Sequence, residues 1–522
     1  MLAYAEARAA ASAGALESAS TAFGVALAAA PESDLIAGQA LTHAVRAGDW
    51  RLALDAARAL ERRGALLPDG RFLLVAEAFR TRDWRAARAQ IDAIERDQAF
   101  AFAVPVLRAW HAQGSRQGDP LAALAAAGAT GPAAGYAAEH RALLKLAMGR
   151  DDGPAEMLSA ARSAGQRGAR LRIAGAALLA ARRQREAALT LLDSGLPSNN
   201  TARALIAAGR PVRGAIATAE AGIAELMVRL ALDLSGQNLG EIGTIFARLA
   251  TRLDPDNSEA LIVAAALLGQ QGQHRLAVDL LGTVRGDDPF AASAREARIR
   301  LLGDGGDNEG ALALALAATR ARGATMSDWI RLGQAYGELG RQAQAADAFG
   351  RALALHRETE SGEAEWTLWL MRGGALEQGD NWPEARTALQ QAYRLAPEQP
   401  VVLNYLGYAQ LVRRENVDEA ERLIREAHRL APDNAAITDS LGWALYLRGR
   451  LPEAITLLEQ AAQGAPADAE INEHLGDAYF AAGRRVEARF AWRAAAVYAN
   501  GPAAARIAAK MESGLTRDLA AR

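Results

Sequence analysis

The sequence predicts an all-α solenoid of stacked helical hairpins. Three observations carry the prediction. A unit of about 34 residues recurs over 326–500: Gly442 and Gly476, Ala454 and Ala488, and Pro432 and Pro466 are each 34 apart. Ala and Leu dominate, aromatics are only 5%, and few segments alternate apolar with polar residues as strands do. Within each unit a glycine sits where one helix must stop, and a proline follows where the next one must.

The best copies run Trp329, Leu332, Gly333, Tyr336, Ala345, Phe349, Ala352, then Leu441, Gly442, Gly449, Ala454, Leu458, Ala461, Pro466, then Leu475, Gly476, Tyr479, Gly483, Ala488, Trp492, Ala495. This spacing resembles the tetratricopeptide repeat, W-x2-L-G-x2-Y followed by A-x3-F and A, and so a tetratricopeptide-repeat α-solenoid, a right-handed superhelix of helical hairpins. Small residues are required where paired helices cross. Gly333, Gly407, Gly442 and Gly476 supply one side of the crossing, and Ala345, Ala385, Ala420, Ala454 and Ala488 the other. Large residues fill the flanking space, because interiors pack near crystal density. Gly340, Gly449 and Gly483 suit the left-handed stop of a first helix. Pro397, Pro432 and Pro466 end second helices, with Asp433 or Asp468 as the next N-cap.

Taken in order, 1–101 reads as degenerate repeats. Ala19, Phe23, Ala26 and Pro31 mark a second helix, and Asp49-Trp50-Arg51 matches Asp83-Trp84-Arg85. Residues 102–223 read as irregular hairpins, with Gly-rich breaks at 127–135 and 149–153, a loop at PSNN (197–200), and a degenerate repeat at Gly175, Ala187 and Leu191. Residues 224–365 read as an array whose register returns at Pro255, with Ala277, Ala311 and Ala345 at successive intervals of 34. The loop 303–309 falls at a turn, and HRETESGEAE (356–365) is a polar insertion. Residues 366–500 hold the best-defined array. Residues 501–522 hold a capping helix with Ile507, Met511 and Leu515 on one face.

Composition bounds the function. The net charge of −2 gives no basic field to collect nucleic acid. The absence of cysteine removes disulfides, thiolate chemistry and Cys-based zinc sites. No apolar run reaches the length of a membrane span. The opening MLAYAEARAA lacks the basic and apolar regions of a secretory signal, which predicts a cytoplasmic protein or a form without its leader.

The first helices should line the inner wall. One face there carries Asn404, Tyr405 and Tyr408, then Asp439, Ser440, Trp443 and Tyr446, then Glu473, His474 and Asp477. Aromatics beside short polar groups are what peptide recognition needs, apolar area for affinity and fixed donors and acceptors for register. Trp443 is the foremost candidate binder; the other reading packs Trp443 and Tyr446 between neighbouring first helices. The acidic tilt of Asp439, Glu473 and Asp477 favours a basic or donor-rich partner over a peptide carboxylate. His474 is the only imidazole in the group, and zinc needs three or four convergent ligands, so no metal, cofactor or catalytic residue is expected. Arg484, Arg485 and Arg489 form a basic edge, read as a solvated face with Glu487 as partner.

Over 366–499, Trp369, Trp382-Pro383-Glu384-Ala385, VLNYLGY (402–408), ITDSLGWALY (437–446), INEHLGDAYF (471–480) and GRRVEARFAW (483–492) resemble bacterial envelope tetratricopeptide proteins. That family includes lipoprotein adaptors of carboxyl-terminal processing proteases. The resemblance implies a periplasmic, non-enzymatic adaptor that binds such a protease and presents substrates to it. The alternatives are a cytoplasmic assembly or chaperone-like hub that binds partner peptides in its groove, and an enzyme in which 102–223 folds as something other than helical hairpins.

Overall fold

The computed structural model describes residues 2–128, 130–192, 195–321, 323–356, 362–516 and 518–519, without the side chains of 166 and 362–364. Residues 357–361 of the polar insertion at 356–365 therefore lie outside the described residues. Every regular element among the described residues is helical, and the chain divides into two compact units, 1–314 and 315–522.

The first unit opens with hairpins α1 (Leu2–Ser12) and α2 (Leu16–Ala29), α3 (Asp34–Ala47) and α4 (Trp50–Arg62), and α5 (Pro68–Thr81) and α6 (Trp84–Asp97). The matched Asp-Trp pairs are helix starts. Asp49 Oδ1 accepts from Leu52 N at 3.1 Å and Asp83 Oδ1 from Ala86 N at 3.0 Å. Then come α7 (Val104–Ser115), α8 (Pro120–Ala125), α9 (Pro132–Met148), α10 (Gly153–Ser163), α11 (Gly168–Ala181), α12 (Arg185–Leu191) and α13 (Pro197–Ala207). The stretch 102–223 is thus helical throughout its regular elements, as short irregular hairpins. PSNN is not a loop. Its proline takes the first position of α13, where the missing N–H costs nothing, and Asn199 is fully buried.

The unit closes with a long hairpin, α14 (Ala219–Gly236) and α15 (Gly240–Leu253), then α16 (Ser258–Gln270), α17 (His274–Leu281) and α18 (Ala291–Asp304); α19 (Asn308–Arg320) runs over the unit boundary. The α14–α15 hairpin does not merely join the stack. It lies against α3, α5, α7 and α9, the first helices of four earlier hairpins. Phe246 on α15 meets Phe72 of α5 edge-on at 4.9 Å. Gly222 lets α14 press on α7, where an added Cβ would lie 2.1 Å from the Trp110 ring. The inner face of this first array is therefore filled by its own chain.

The second unit is a regular stack: α20 (Met326–Glu338) with α21 (Gln342–Leu355), α22 (Gly362–Gln378) with α23 (Trp382–Leu395), α24 (Pro400–Val412) with α25 (Val417–Leu430), α26 (Ala435–Leu447) with α27 (Leu451–Gly464), and α28 (Ala469–Ala481) with α29 (Arg485–Tyr498). A final helix, α30 (Gly501–Ser513), packs Ile507 onto Trp492 with Met511 and Leu515 beside it. The crossings need their glycines. A Cβ on Gly476 would lie 2.3 Å from Trp492, and one on Gly333 2.6 Å from Phe349. The cap before α26 is Asn434 rather than Asp433, its side chain accepting from Ile437 N at 3.1 Å, whereas Asp468 caps α28 as expected.

Candidate functional site

The ten residues expected to form a groove lie on α24, α26 and α28, but Tyr405 turns to α22, its hydroxyl 3.0 Å from where a Cβ on Gly374 would lie, and six of the ten form a layer beneath the surface. Asp439, Ser440, Trp443, Glu473, His474 and Asp477 are all buried. Trp443 is 1% exposed. Its indole stacks on His474 at 4.1 Å and on Tyr446 at 4.5 Å, each pair 13° from parallel. Of the two readings open for Trp443, packing between neighbouring first helices prevails, because the close spacing of α26 and α28 leaves no room for a ligand at the indole.

The acidic tilt is also consumed within the chain. His474 Nδ1 lies 2.9 Å from Asp439 Oδ2. Burial opposes protonation of this imidazole, but Asp439 outweighs it and holds the His474 pKa above 6.5. Glu473 accepts from Arg506 Nε and Nη2 at 2.7 Å each and from Lys510 Nζ at 2.6 Å. Burial pushes this carboxyl up, yet the two cations prevail and keep it below its ordinary value. Asp477 accepts from Lys510 and, at 2.9 Å, from Trp492 Nε1. The basic partner that Glu473 and Asp477 call for is thus α30. Sequence reasoning placed the cap there but missed Arg506 and Lys510. The available signal was their four-residue spacing on the face that also carries Ile507.

What remains accessible is a rim. Asn404, Tyr405, Tyr408 and Tyr446 are half-buried, and Glu470 and Val401 stand more open. Tyr408 donates to Glu470 Oε1 at 2.9 Å, bracing α24 against α28. Ser440 donates to Ala436 O within its own helix. The Asn404 Oδ1 acceptor is buried and meets no donor.

The other charged cluster lies in the first unit. Arg167 bonds Glu139 and Glu225, and Arg170 reaches Glu225 at 3.2 Å. Burial pushes the Glu259 carboxyl up to about 7, while the same two arginines hold Glu225 low against its own burial. A half-open cleft of about 330 Å³ adjoins this cluster, lined by Glu139, Arg141, Glu156, Arg167, Arg229 and Asp233. Its charges pair with one another, Arg229 with Glu139 at 3.0 Å and Arg141 with Glu156. Among the described residues no group of three or more His, Cys, Asp or Glu is placed to hold a metal, and no helix is long and apolar enough to cross a membrane.

Comparison with known proteins bears on the repeats. A family model described as "Tetratricopeptide repeat" matches 330–400, and one described as "TPR repeat" matches 442–483. No curated protein matches. Similar solved structures include yeast Tom70, 13% identical over 98% of this chain and 95% of that one with a TM-score of 0.39. The Cut9–Hcn1 hetero-tetramer of the APC/C is 17% identical over 94% and 98%, also at 0.39. A tetratricopeptide repeat protein from Parabacteroides merdae is 14% identical over 55% and 97%, at 0.37. The chain is an all-helical solenoid that carries tetratricopeptide repeats in its second unit.

Proposed function

We propose that the protein is a protein-binding scaffold whose partner site is the rim of α24, α26 and α28. One observation supports this above the others: a buried amide acceptor, Asn404 Oδ1, stands without a donor among half-buried tyrosines. A buried polar atom left unpaired costs about 1–3 kcal/mol. A partner segment that draws the Asn404 amide out to the rim and gives it an N–H removes that cost, and the rings of Tyr408 and Tyr446, beside Trp443, supply apolar area. The buried layer beneath, with Trp443 and the Asp439–His474 pair, holds the rim in place and does not itself touch the partner.

The finer reading is an adaptor that presents substrates to a carboxyl-terminal processing protease. It rests on the sequence resemblance over 366–499. The test is affinity capture from envelope extract with the full chain and with an Asn404→Leu, Tyr408→Ala variant. The expected result is a processing protease recovered by the first and lost with the second. Recovery of other proteins, lost with the variant, retains the scaffold and ends the adaptor reading. Equal recovery of every partner by both chains ends the rim assignment.

A further inference from the structure

The outer face of α29 differs from those of α25 and α27. On α25, Arg422 pairs with Glu419 at 2.7 Å and Arg429 with Glu426 at 2.6 Å; on α27, Leu451–Gly464, Glu453 pairs with Arg450 just ahead of the helix at 2.5 Å. Those faces neutralise themselves. On α29 only Arg484, at its N-cap, follows the habit, pairing with Glu487 at 3.0 Å. Arg485, Arg489 and Arg493 are exposed, and no carboxylate among the described residues pairs with them. They recur every fourth residue, so three guanidinium groups line one stripe about 12 Å long.

Beside that stripe runs an apolar one. Val486 is 66% exposed, Phe490 63% and Val497 71%. Isolated exposed apolar side chains are ordinary, but Val486 and Phe490, one turn apart and beside unpaired charge, mark a contact surface. Where α29 meets the end of α30 the surface is concave, a cleft of about 530 Å³ whose walls include Phe480, Arg485, Arg489, Phe490 and Gly514. Gly514 is in the left-handed region at φ 81°, and a Cβ there would lie 2.8 Å from the Phe480 ring, so the glycine keeps this hollow open beside the ring. Arg485 lies 5.7 Å from the Phe480 centroid and Arg493 5.7 Å from that of Phe490, so both guanidinium planes are steadied by rings while their donors stay free.

We propose that the outer face of α29 is a second docking surface, for an acidic segment of a partner protein that carries apolar anchor side chains. Charge complementarity names the occupant. Arginine forks bind carboxylates in bidentate fashion, and three in a row fit acidic residues at helical spacing. Glu512, on the cleft wall, leaves the surface with excess positive charge. The hollow accepts an aromatic or aliphatic side chain, which a flat lipid surface cannot insert. This face lies on a second helix and is separate from the rim on the first helices, so the scaffold has room for two partners at once.

The test uses the full chain and a fluorescent 16-residue peptide of Glu, Ala and Leu with one Phe, its Glu residues at every fourth position. Controls are the same peptide with Gln for Glu, and vesicles of 30% phosphatidylglycerol in phosphatidylcholine. The expected result is micromolar binding of the acidic peptide, weakened at least tenfold by Arg489→Glu and by Phe490→Ser, with the Gln peptide at least tenfold weaker than the Glu peptide. Both changes are at exposed positions, and an unaltered thermal melt confirms the fold. No binding of the acidic peptide, equal binding by wild type and both variants, or binding to the vesicles alone overturns the proposal.

Discussion

Lys510 Nζ sits 2.8 and 2.7 Å from the two carboxylate oxygens of Asp477, and both side chains are sealed from solvent. The same ammonium reaches Glu473 at 2.6 Å, so one lysine of the last helix serves two carboxylates of the last first helix. Ile507 covers the apolar part of the face that α28 and α29 present and Lys510 with Arg506 the charged part, so α30 matches both patterns.

Replacing Lys510 by Met tests this. The change keeps the volume but takes the shared cation from two buried carboxylates, leaving Glu473 with Arg506 and Asp477 with the neutral Trp492 Nε1 donor. Breaking one side of a buried pair costs about 3–5 kcal/mol. The expected outcome is a loss of that order in urea unfolding of the second unit, with amide exchange accelerating first over 469–498. Asp477→Leu added to Lys510→Met recovers part of the loss. Unchanged exchange in the single variant removes the charged cap from the account.

The Asp439–His474 pair predicts a pH dependence. The folded imidazole has its pKa raised above the ordinary 6.5. The protonated form is then favoured by folding. Its stabilisation is fully present below about 6.5 and is lost as pH rises through the folded value. Asp439, Glu470 and Asp477 are the acidic groups acting on the ring. Amide protection in α26 and α28 is expected to fall between pH 6 and 9 in the wild type. In His474→Gln the protection should stay flat over that range.

Most of the second unit was legible in the sequence because its repeats reuse one packing solution. A glycine facing a large ring, as Gly476 faces Trp492, fixes the crossing wherever the spacing recurs. The site was half legible. The spacing identified the face that carries Trp443 and His474, but not its depth, because exposure depends on how closely α26 and α28 approach. The cation that neutralises Asp477 lies 33 residues away on another helix, and pairwise charge matching at that range leaves no local period. The α14–α15 hairpin was hidden for the same reason. Gly222 against Trp110 is a contact between distant segments, and nothing in either segment alone announces it.

Burial gives Trp443→Ala a structural outcome. Truncating a fully buried indole costs about 3–5 kcal/mol, from lost contacts and the cavity left behind. His474 and Tyr446 lose their stacking partner at the same time. The expected result is a lowered midpoint in urea and weaker partner capture that recovers when the variant is assayed well below its melting temperature. Full loss of capture with an unchanged melt would instead return the indole to direct contact.

Glu259 predicts the opposite course of pH from an ordinary surface carboxylate. Burial raises its folded value to about 7 from an ordinary 4.5, even with Arg167 3.7 Å away. The native state therefore holds the proton more tightly than the unfolded chain. Below about 4.5 both states are protonated and nothing is lost. Between that value and 7 the unfolded chain ionises while the native carboxyl resists, so stability falls as pH rises. Glu259→Gln has no proton to lose. The variant is expected to melt above the wild type at pH 8 and to converge with it below pH 5. A variant less stable than wild type at pH 8 would show that attraction to Arg167 and Arg170 outweighs the cost of burying the charge.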